Sequence, residues 1–299
     1  MKHLITCEQF EIDRLESLFA LADDMKANPE LYHSALSSRI VATLFYEPST
    51  RTRLSFEAAV QKLGGGIIST ENAKEMSSAI KGENLLDTIR VVEGYCDAIV
   101  LRHFDDNAAQ DAASISHIPI INAGGGAGEH PTQALLDAYT IYSYKQTIHH
   151  RSFALIGDLR YGRTIHSLVK LISLYDGVKV YGLSQEDRKL PEVYIDYLQA
   201  RGIAYQACER FEDLPTDIDV LYQTRTQTER FANGTSGEFV IDKKVMEQFG
   251  QETILLHPLP RNNEIALDVD GDPRAVYFQQ SHLGLYARMA LLDTLLNGK

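Results

Sequence analysis

The sequence has few cysteines, fewer positive than negative charges, and no long hydrophobic run. Its three cysteines are far apart and lack Cys-x-x-Cys spacing, which argues against a disulfide framework and gives no support to a metal site. The 29 basic and 41 acidic residues give a formal net charge of −12, whereas nucleic-acid binding needs a basic face. No apolar run approaches the ~20 residues of a membrane-spanning helix, and the first residues lack the apolar core of a signal peptide. We therefore expect a cytoplasmic protein with neither nucleic acid nor membrane as a partner.

A chain of 299 residues with 44% hydrophobic and 23% charged residues is long enough for two domains with separate cores. Short apolar runs alternate with helical patterns in both halves, so we predict an α/β fold. In this fold, each of two domains has a mostly parallel sheet flanked by helices, with the active site in the cleft between them. Because the last helix is expected to fold back onto the first domain, the predicted domains are 1–131 plus 283–299, and 132–282.

The segment 47–53, Glu-Pro-Ser-Thr-Arg-Thr-Arg, follows the apolar run 40–45 and leads into a helical pattern. Its hydroxyl groups, on Ser49, Thr50 and Thr52, are interleaved with two arginines. The start of a helix presents N–H groups and the positive end of the helix dipole, and both favour an anion. The segment therefore predicts a phosphate-binding site. The alternative is an N-cap serine followed by solvated side chains, but capping needs only one hydroxyl.

Polar residues also follow two predicted strands of the first half. Arg102 comes directly after the strand 97–101, and ligands of open α/β sheets bind beyond the carboxyl ends of the strands. The glycine-rich segment 124–128 follows the next strand and can approach a ligand closely. His130 and Gln133 stand three residues apart at the start of the following helix, where both can face the same crevice. The alternatives are a surface ion pair for the arginine and a structural role for the histidine.

The second half offers a different set of polar groups. Glycines after the strand 152–156 invite a dinucleotide interpretation, but they lack G-x-G-x-x-G spacing and are interrupted by bulky residues. Arg225 and Gln227 are two residues apart after the strand 219–222, so an extended chain would point both to one side. The prolines of His-Pro-Leu-Pro-Arg, 257–261, predict an extended backbone whose carbonyl groups can accept hydrogen bonds from a ligand's NH2 group.

Six segments together resemble the aspartate and ornithine carbamoyltransferase family, in the order in which that family carries them. They are Ser49–Arg53, Ser77–Glu83, Arg102–His103, His130–Gln133, Arg163 and Arg225–Pro260. The resemblance covers essentially the whole chain. On the amino-acid side it is closest to the aspartate members, because Thr-Arg-x-Gln-x-Glu-Arg (224–230) and His-Pro-Leu-Pro-Arg replace the Ser-Met-Gly loop and the His-Cys-Leu-Pro of ornithine members.

The resemblance implies transfer of a carbamoyl group from carbamoyl phosphate to the amine of L-aspartate, in pyrimidine biosynthesis, without a metal or cofactor. The catalytic residues that it implies are Arg51, Thr52, Arg102 and His130. The implied carbamoyl-phosphate contacts are Ser49, Thr50, Arg51, Thr52, Ser77, Lys81, Arg102, His130, Gln133, Leu259 and Pro260. The implied L-aspartate contacts are Lys81, Arg163, Arg225 and Gln227. By the same resemblance, Glu47 bridges to Arg163 and Arg230 when the domains close.

In the aspartate members of the family, the segment that resembles Ser77–Glu83 reaches into the active site of the neighbouring subunit. The resemblance therefore implies a homotrimer with shared active sites. It leaves open whether a separate regulatory chain binds. Two other functions also stay open: a transcarbamoylase for ornithine or an N-acetylated amino acid, and a non-catalytic chain that binds carbamoyl phosphate without turnover.

Overall fold

The computed structural model describes residues 1–72, 82–126, 128–225 and 239–298. The chain forms two compact units, Met1–Leu136 with Leu283–Lys299, and Asp137–His282. Both divisions fall inside helices, Pro131–Lys145 and Tyr277–Asn297. In the described residues, no helix is long and apolar enough to cross a membrane.

The first unit has a four-stranded parallel sheet in the order β2-β1-β3-β4. Its strands are β1 (Ile40–Phe45), β2 (Gly66–Glu71), β3 (Ala98–His103) and β4 (Ile120–Gly125). The helices that begin in this unit are α1 (Ile12–Ala27), α2 (Thr50–Lys62), α3 (Leu85–Val92), α4 (Ala108–Ile115) and α5 (Pro131–Lys145).

The second unit has a five-stranded parallel sheet in the order β7-β6-β5-β8-β9. Its strands are β5 (Ser152–Ile156), β6 (Lys179–Leu183), β7 (Ala204–Cys208), β8 (Val220–Gln223) and β9 (Ile254–Leu256). The helices that begin in this unit are α6 (Arg163–Ile172), α7 (Glu192–Gln199), α8 (Lys243–Met246) and α9 (Tyr277–Asn297).

The inner strands explain why the sequence has short, nearly continuous apolar runs. In β1 only Ile40 is exposed, and five successive residues of β3, from Ala98 to Arg102, are buried. Strands of parallel sheets are covered by helices on both faces, so they need apolar side chains on both sides. On α2, Phe56, Ala59 and Val60 are buried, the i, i+3, i+4 spacing of a helix that packs on a sheet.

The prediction of two parallel sheets flanked by helices is confirmed. Two helices, α4 and α8, were not predicted. The buried face of α4 consists of three alanines, Ala108, Ala109 and Ala112, which give little contrast in a hydrophobic pattern. The three cysteines are free thiols, and burial raises the pKa of Cys96 to about 11.

Candidate active site

The strand register places the predicted phosphate-binding groups at one edge of the first sheet. Phe45, the last residue of β1, is paired with Arg102 near the end of β3, and His103 is paired with Gly125 at the end of β4. The segments that leave these strands therefore start side by side at the carboxyl edge. This edge carries the start of α2, Arg102, the glycine-rich segment and His130.

The start of α2 has no side-chain cap. Ser49 occupies the N-cap position but makes no side-chain capping hydrogen bond, so the capping alternative is not supported. Thr52 is buried, whereas Thr50 and Arg51 are exposed. Arg53 points elsewhere, because its guanidinium binds Glu71 at 2.8 Å and Glu57 at 3.3 Å. The two arginines of the motif thus have different surroundings.

Arg102 is buried to 8% exposure at the centre of this edge. Its Nη1 donates to the carbonyl of Ala123 at 3.2 Å, and its Nη2 lies 3.5 Å from Oε2 of Glu47. A Cβ on Gly124 would lie 2.9 Å from Nη1 of Arg102 and 3.1 Å from Cδ2 of His130. Gly124, whose φ is +100°, has no Cβ, so the guanidinium of Arg102 and the imidazole of His130 can both lie close to its backbone.

His130 precedes α5 and is 5% exposed. Its Nδ1 lies 3.3 Å from the hydroxyl of Thr132, which is itself buried. If the hydroxyl donates to Nδ1, the imidazole proton is on Nε2, which can then donate to a substrate carbonyl. Gln133, buried on the first turn of α5, donates its backbone N–H to the carbonyl of His130 at 3.0 Å.

Two side chains that shape this edge were missed by the sequence interpretation. Asn122 donates to the carbonyl of Ile5 at 2.8 Å and accepts the N–H of Gly124 at 2.9 Å. Asp106 accepts the N–H of Gly128 at 3.1 Å. Asn122 is a polar residue inside an apolar strand, which is the signal that could have identified it. For Asp106 the sequence offers no comparable signal.

In the second unit, Arg163 and Arg225 follow neighbouring strands. Ile156 at the end of β5 is paired with Gln223 at the end of β8, so the segments that lead to the two arginines start side by side. Arg163 is the first residue of α6, and both arginines are partly exposed. Two cationic groups at one sheet edge suit a ligand with carboxylate groups.

The turn 257–261 follows β9, the strand beside β8. The prediction of an extended backbone there was wrong at Leu259, whose φ is +54° and whose peptide bond to Pro260 is cis. The reason lies in a buried pair that the local sequence does not reveal. Leu259 donates its N–H to Nδ1 of His257 at 2.8 Å, and Nε2 of His257 is 2.8 Å from Oε1 of Glu264.

Four of the predicted site residues lie outside the described residues: Ser77, Lys81, Gln227 and Arg230. Their predicted roles stay predictions. The proposed bridge from Glu47 to Arg163 and Arg230 also stays a prediction, and Glu47 lies beside Arg102 in this structure. Within the described ranges, no three His, Cys, Asp or Glu side chains are grouped so that they could hold a metal ion.

The buried carboxyl of Glu264 should make stability depend on pH. Burial alone raises the pKa of Glu264, but hydrogen bonds from His257 and from backbone N–H groups outweigh it and lower the pKa below its usual 4.5. A group with a lowered pKa on folding stabilises the protein above its usual pKa, and the contribution is lost as pH falls through the folded-state pKa. Glu264→Gln should therefore cost about 1 to 3 kcal/mol of unfolding free energy near neutral pH, and this cost should shrink in acid.

Urea unfolding followed by circular dichroism between about pH 7 and about pH 3 measures this difference. Other carboxyl groups are the same in both proteins, so their contributions cancel. Thr253→Val is the matched control, because it removes a buried hydroxyl donor to the carbonyl of Ile218, at 2.7 Å, and no titrating group. Its cost should not change with pH. A Glu264→Gln cost that is equally constant would contradict the prediction.

Two family models match the chain. The carbamoyl-P binding domain of aspartate/ornithine carbamoyltransferase matches residues 2–143, and the Asp/Orn binding domain of the same family matches residues 149–295. The chloroplastic aspartate carbamoyltransferase of Oryza sativa subsp. japonica is 47% identical, in a match that covers 99% of this chain and 85% of the relative.

Solved structures agree with these matches. The catalytic subunit of M. jannaschii aspartate transcarbamoylase has a TM-score of 0.93 and 45% identity, with 100% of this chain and 99% of that chain covered. Aspartate transcarbamoylase from Trypanosoma cruzi, in complex with carbamoyl phosphate and aspartate, has a TM-score of 0.92 and 38% identity, with coverage of 99% and 97%. Matches of this extent along both units establish that the chain belongs to the aspartate/ornithine carbamoyltransferase family.

Proposed function

We propose that this protein transfers the carbamoyl group of carbamoyl phosphate to the amine of L-aspartate, giving N-carbamoyl-L-aspartate and phosphate, a step of pyrimidine biosynthesis. The observation that carries the proposal is the carboxyl edge of the first sheet, where the start of α2, Arg102 and His130 come together. The Trypanosoma cruzi relative has been solved with both of these substrates and also with carbamoyl aspartate and phosphate. The cytoplasmic location stays a prediction from the sequence.

The groups of the first unit suit an acyl phosphate. When the amine nitrogen attacks the carbamoyl carbon, negative charge moves to the carbonyl oxygen, and Thr52, Arg102 and His130 supply donors for it. The bond from that carbon to the phosphate oxygen then breaks. The departing phosphate is stabilised by the α2 start and by Arg51, and we assign it the role of accepting the amine proton. Gln133 and the carbonyl groups of the turn 257–261 orient the carbamoyl NH2.

The groups of the second unit suit a dicarboxylic amino acid. Arg163 and Arg225 offer two guanidinium groups, and a guanidinium can bind a carboxylate through two parallel hydrogen bonds. We propose that these arginines, with Gln227 and Lys81, hold both carboxylates of L-aspartate. Fixing the amine close to the carbamoyl carbon turns a bimolecular encounter into a positioned attack.

We also propose that the active protein is a homotrimer in which Ser77 and Lys81 act in the site of the neighbouring subunit. The segment that holds these two residues follows β2, an edge strand of the first sheet. Ile68 on this strand is 36% exposed and Leu54 on α2 is 50% exposed. The exposed edge of a sheet can pair with another chain, which supports a contact between copies near this strand.

A colorimetric assay for carbamoyl-amino acids tests the proposal directly. With carbamoyl phosphate and L-aspartate, the purified protein should form carbamoyl-aspartate. With ornithine or a basic N-acetylated amino acid in place of aspartate, the rate should fall by about 10⁴-fold, because each of these compounds keeps an α-carboxylate but has no side-chain carboxylate for the second guanidinium group. Product from ornithine but not from aspartate would assign a different acceptor. Binding of carbamoyl phosphate without any product would favour the non-catalytic alternative.

A further inference from the structure

A chain of buried polar contacts leads from α5 to the turn after β9. Asp137 on α5 is fully buried; its Oδ1 accepts Nε2–H of Gln280 at 2.6 Å and its Oδ2 accepts the hydroxyl of Tyr222 at 2.7 Å. Gln280, on the first turns of α9, accepts the backbone N–H of His257 at 2.9 Å. All of these side chains belong to the second unit. Such a run of buried, mutually satisfied contacts restricts each member to one orientation.

The carboxylate of Asp137 determines which way the Gln280 amide faces. Both oxygens of Asp137 accept in these contacts, so the NH2 end of the Gln280 amide points to the carboxyl group. The amide oxygen is then left for the N–H of His257. Burial, with the neighbouring Asp137, raises the pKa of Tyr222 well above its usual value, so its hydroxyl stays protonated and donates to the other carboxylate oxygen.

His257 continues the chain of contacts into the turn. Its Nδ1 accepts the N–H of Leu259 at 2.8 Å, so Nδ1 carries no proton and the ring is the neutral tautomer with the proton on Nε2. That proton is donated to Glu264 at 2.8 Å. The ring is therefore held on both sides, and it keeps Leu259 in the left-handed region that non-glycine residues rarely occupy.

We propose that Asp137, Gln280 and His257 are positioning residues that hold the Leu259 carbonyl in the direction needed to accept a hydrogen bond from the carbamoyl NH2. The proposal rests on the proposed function, in which the carbonyl groups of this turn orient carbamoyl phosphate. In this proposal, none of the three residues touches the substrate. Their effect is to discriminate an acyl phosphate with an NH2 group from one without it.

Acetyl phosphate is the probe for this discrimination, because it has a methyl group where carbamoyl phosphate has NH2. Binding of each compound to the intact protein, without aspartate, is measured by titration calorimetry. The wild-type protein should bind carbamoyl phosphate at least about tenfold more tightly than acetyl phosphate. Gln280→Glu places a second carboxyl group against Asp137. Measured at alkaline pH, where both carboxyl groups are ionised and can only accept hydrogen bonds, it should bring the two affinities to within about twofold of each other.

A double variant makes the test specific. The double variant combines Asp137→Asn with Gln280→Glu. The amide at position 137 then donates its NH2 to the carboxylate at position 280, and its oxygen accepts the hydroxyl of Tyr222. The other oxygen of the carboxylate at position 280 accepts the backbone N–H of His257. The discrimination should return to the wild-type ratio. Asp137→Asn alone lets the Gln280 amide rotate by half a turn, so this variant should lose part of the discrimination. It replaces Gln280→Glu in the test if Gln280→Glu does not fold. Thr253→Val, which loses a buried hydrogen bond elsewhere in the unit, should lower thermal stability and leave the ratio unchanged.

A merely structural role predicts another result. Gln280→Glu and Asp137→Asn would then lower the unfolding temperature as Thr253→Val does, with the wild-type ratio retained, and the proposal would be overturned. It would also be overturned by a double variant that stays as defective as Gln280→Glu, or by a wild-type protein that binds the two compounds equally. Formation of carbamoyl-aspartate by the wild-type protein is measured separately, so the proposed function stands or falls on its own result.

Discussion

Mixing Arg51→Ala chains with Lys81→Ala chains is expected to restore about one quarter of wild-type activity, although each variant alone is nearly inactive. In the proposed trimer, each active site takes Arg51 from one chain and Lys81 from its neighbour. In random mixtures of equal amounts, about half of the chains carry each intact residue, so about one quarter of the sites have both. The measurement is carbamoyl-aspartate formation after the two variants are dissociated together and reassembled.

The mixture distinguishes shared sites from sites within one chain. If Arg51 and Lys81 came from the same chain, every site in the mixture would still lack one of them, and activity would stay at the level of the single variants. Each variant dissociated and reassembled alone is the control for recovery. Mixed oligomers are verified with a charge tag on one variant, and absence of activity in verified mixed trimers would contradict the shared site.

Arg51→Met is expected to lower kcat/KM by about 10² to 10³, whereas Arg53→Met leaves it within about threefold. The two arginines are separated by one residue, but Arg51 is exposed at the predicted phosphate site while Arg53 is bound to Glu57 and Glu71. Loss of Arg51 removes positive charge from the departing phosphate. Loss of Arg53 breaks partly exposed ion pairs and should cost about 1 kcal/mol of unfolding free energy or less.

The pair of variants is measured in three ways: kcat/KM for carbamoyl phosphate, binding of inorganic phosphate by calorimetry, and urea unfolding. Arg51→Met should weaken phosphate binding with unchanged stability, and Arg53→Met should do the reverse. Because the substitutions are chemically identical, general effects of losing an arginine cancel. Equal losses of phosphate binding in both variants would refute the assignment of Arg51.

The elements of the first sheet were predictable because their signals are local. The run Ile40–Phe45 is β1 with the predicted bounds, and the helical pattern into which the segment 47–53 leads is α2, with Ser49 as its N-cap. Strands covered on both faces must be apolar throughout, and a helix on a sheet must repeat its apolar residues at i, i+3 and i+4. Such constraints produce apolar patterns that are visible in short stretches of the sequence.

The polar contacts between residues far apart in the sequence were not predictable in this way. Asp137 and Gln280 are 143 residues apart, and Asn122 binds the carbonyl of a residue 117 positions away. A buried acid in an apolar helix indicates that it has a partner, but not which one. The turn at Leu259 is a further example, because its backbone N–H donates to His257, whose other ring nitrogen contacts the buried carboxyl of Glu264.

Residue order alone was therefore enough to predict an α/β chain with two parallel sheets and a family resemblance over essentially the whole chain, and the anion site at the start of α2 stays a prediction. Folding was needed to pair Arg53 with Glu57 and Glu71, to bring Arg102 and His130 to either side of Gly124, and to connect α5 with the turn at Leu259. The physical reason is that periodicity and helix-start chemistry act between near neighbours. Hydrogen bonds and ion pairs in the interior join residues that only the packing of strands and helices brings within about 3 Å of each other.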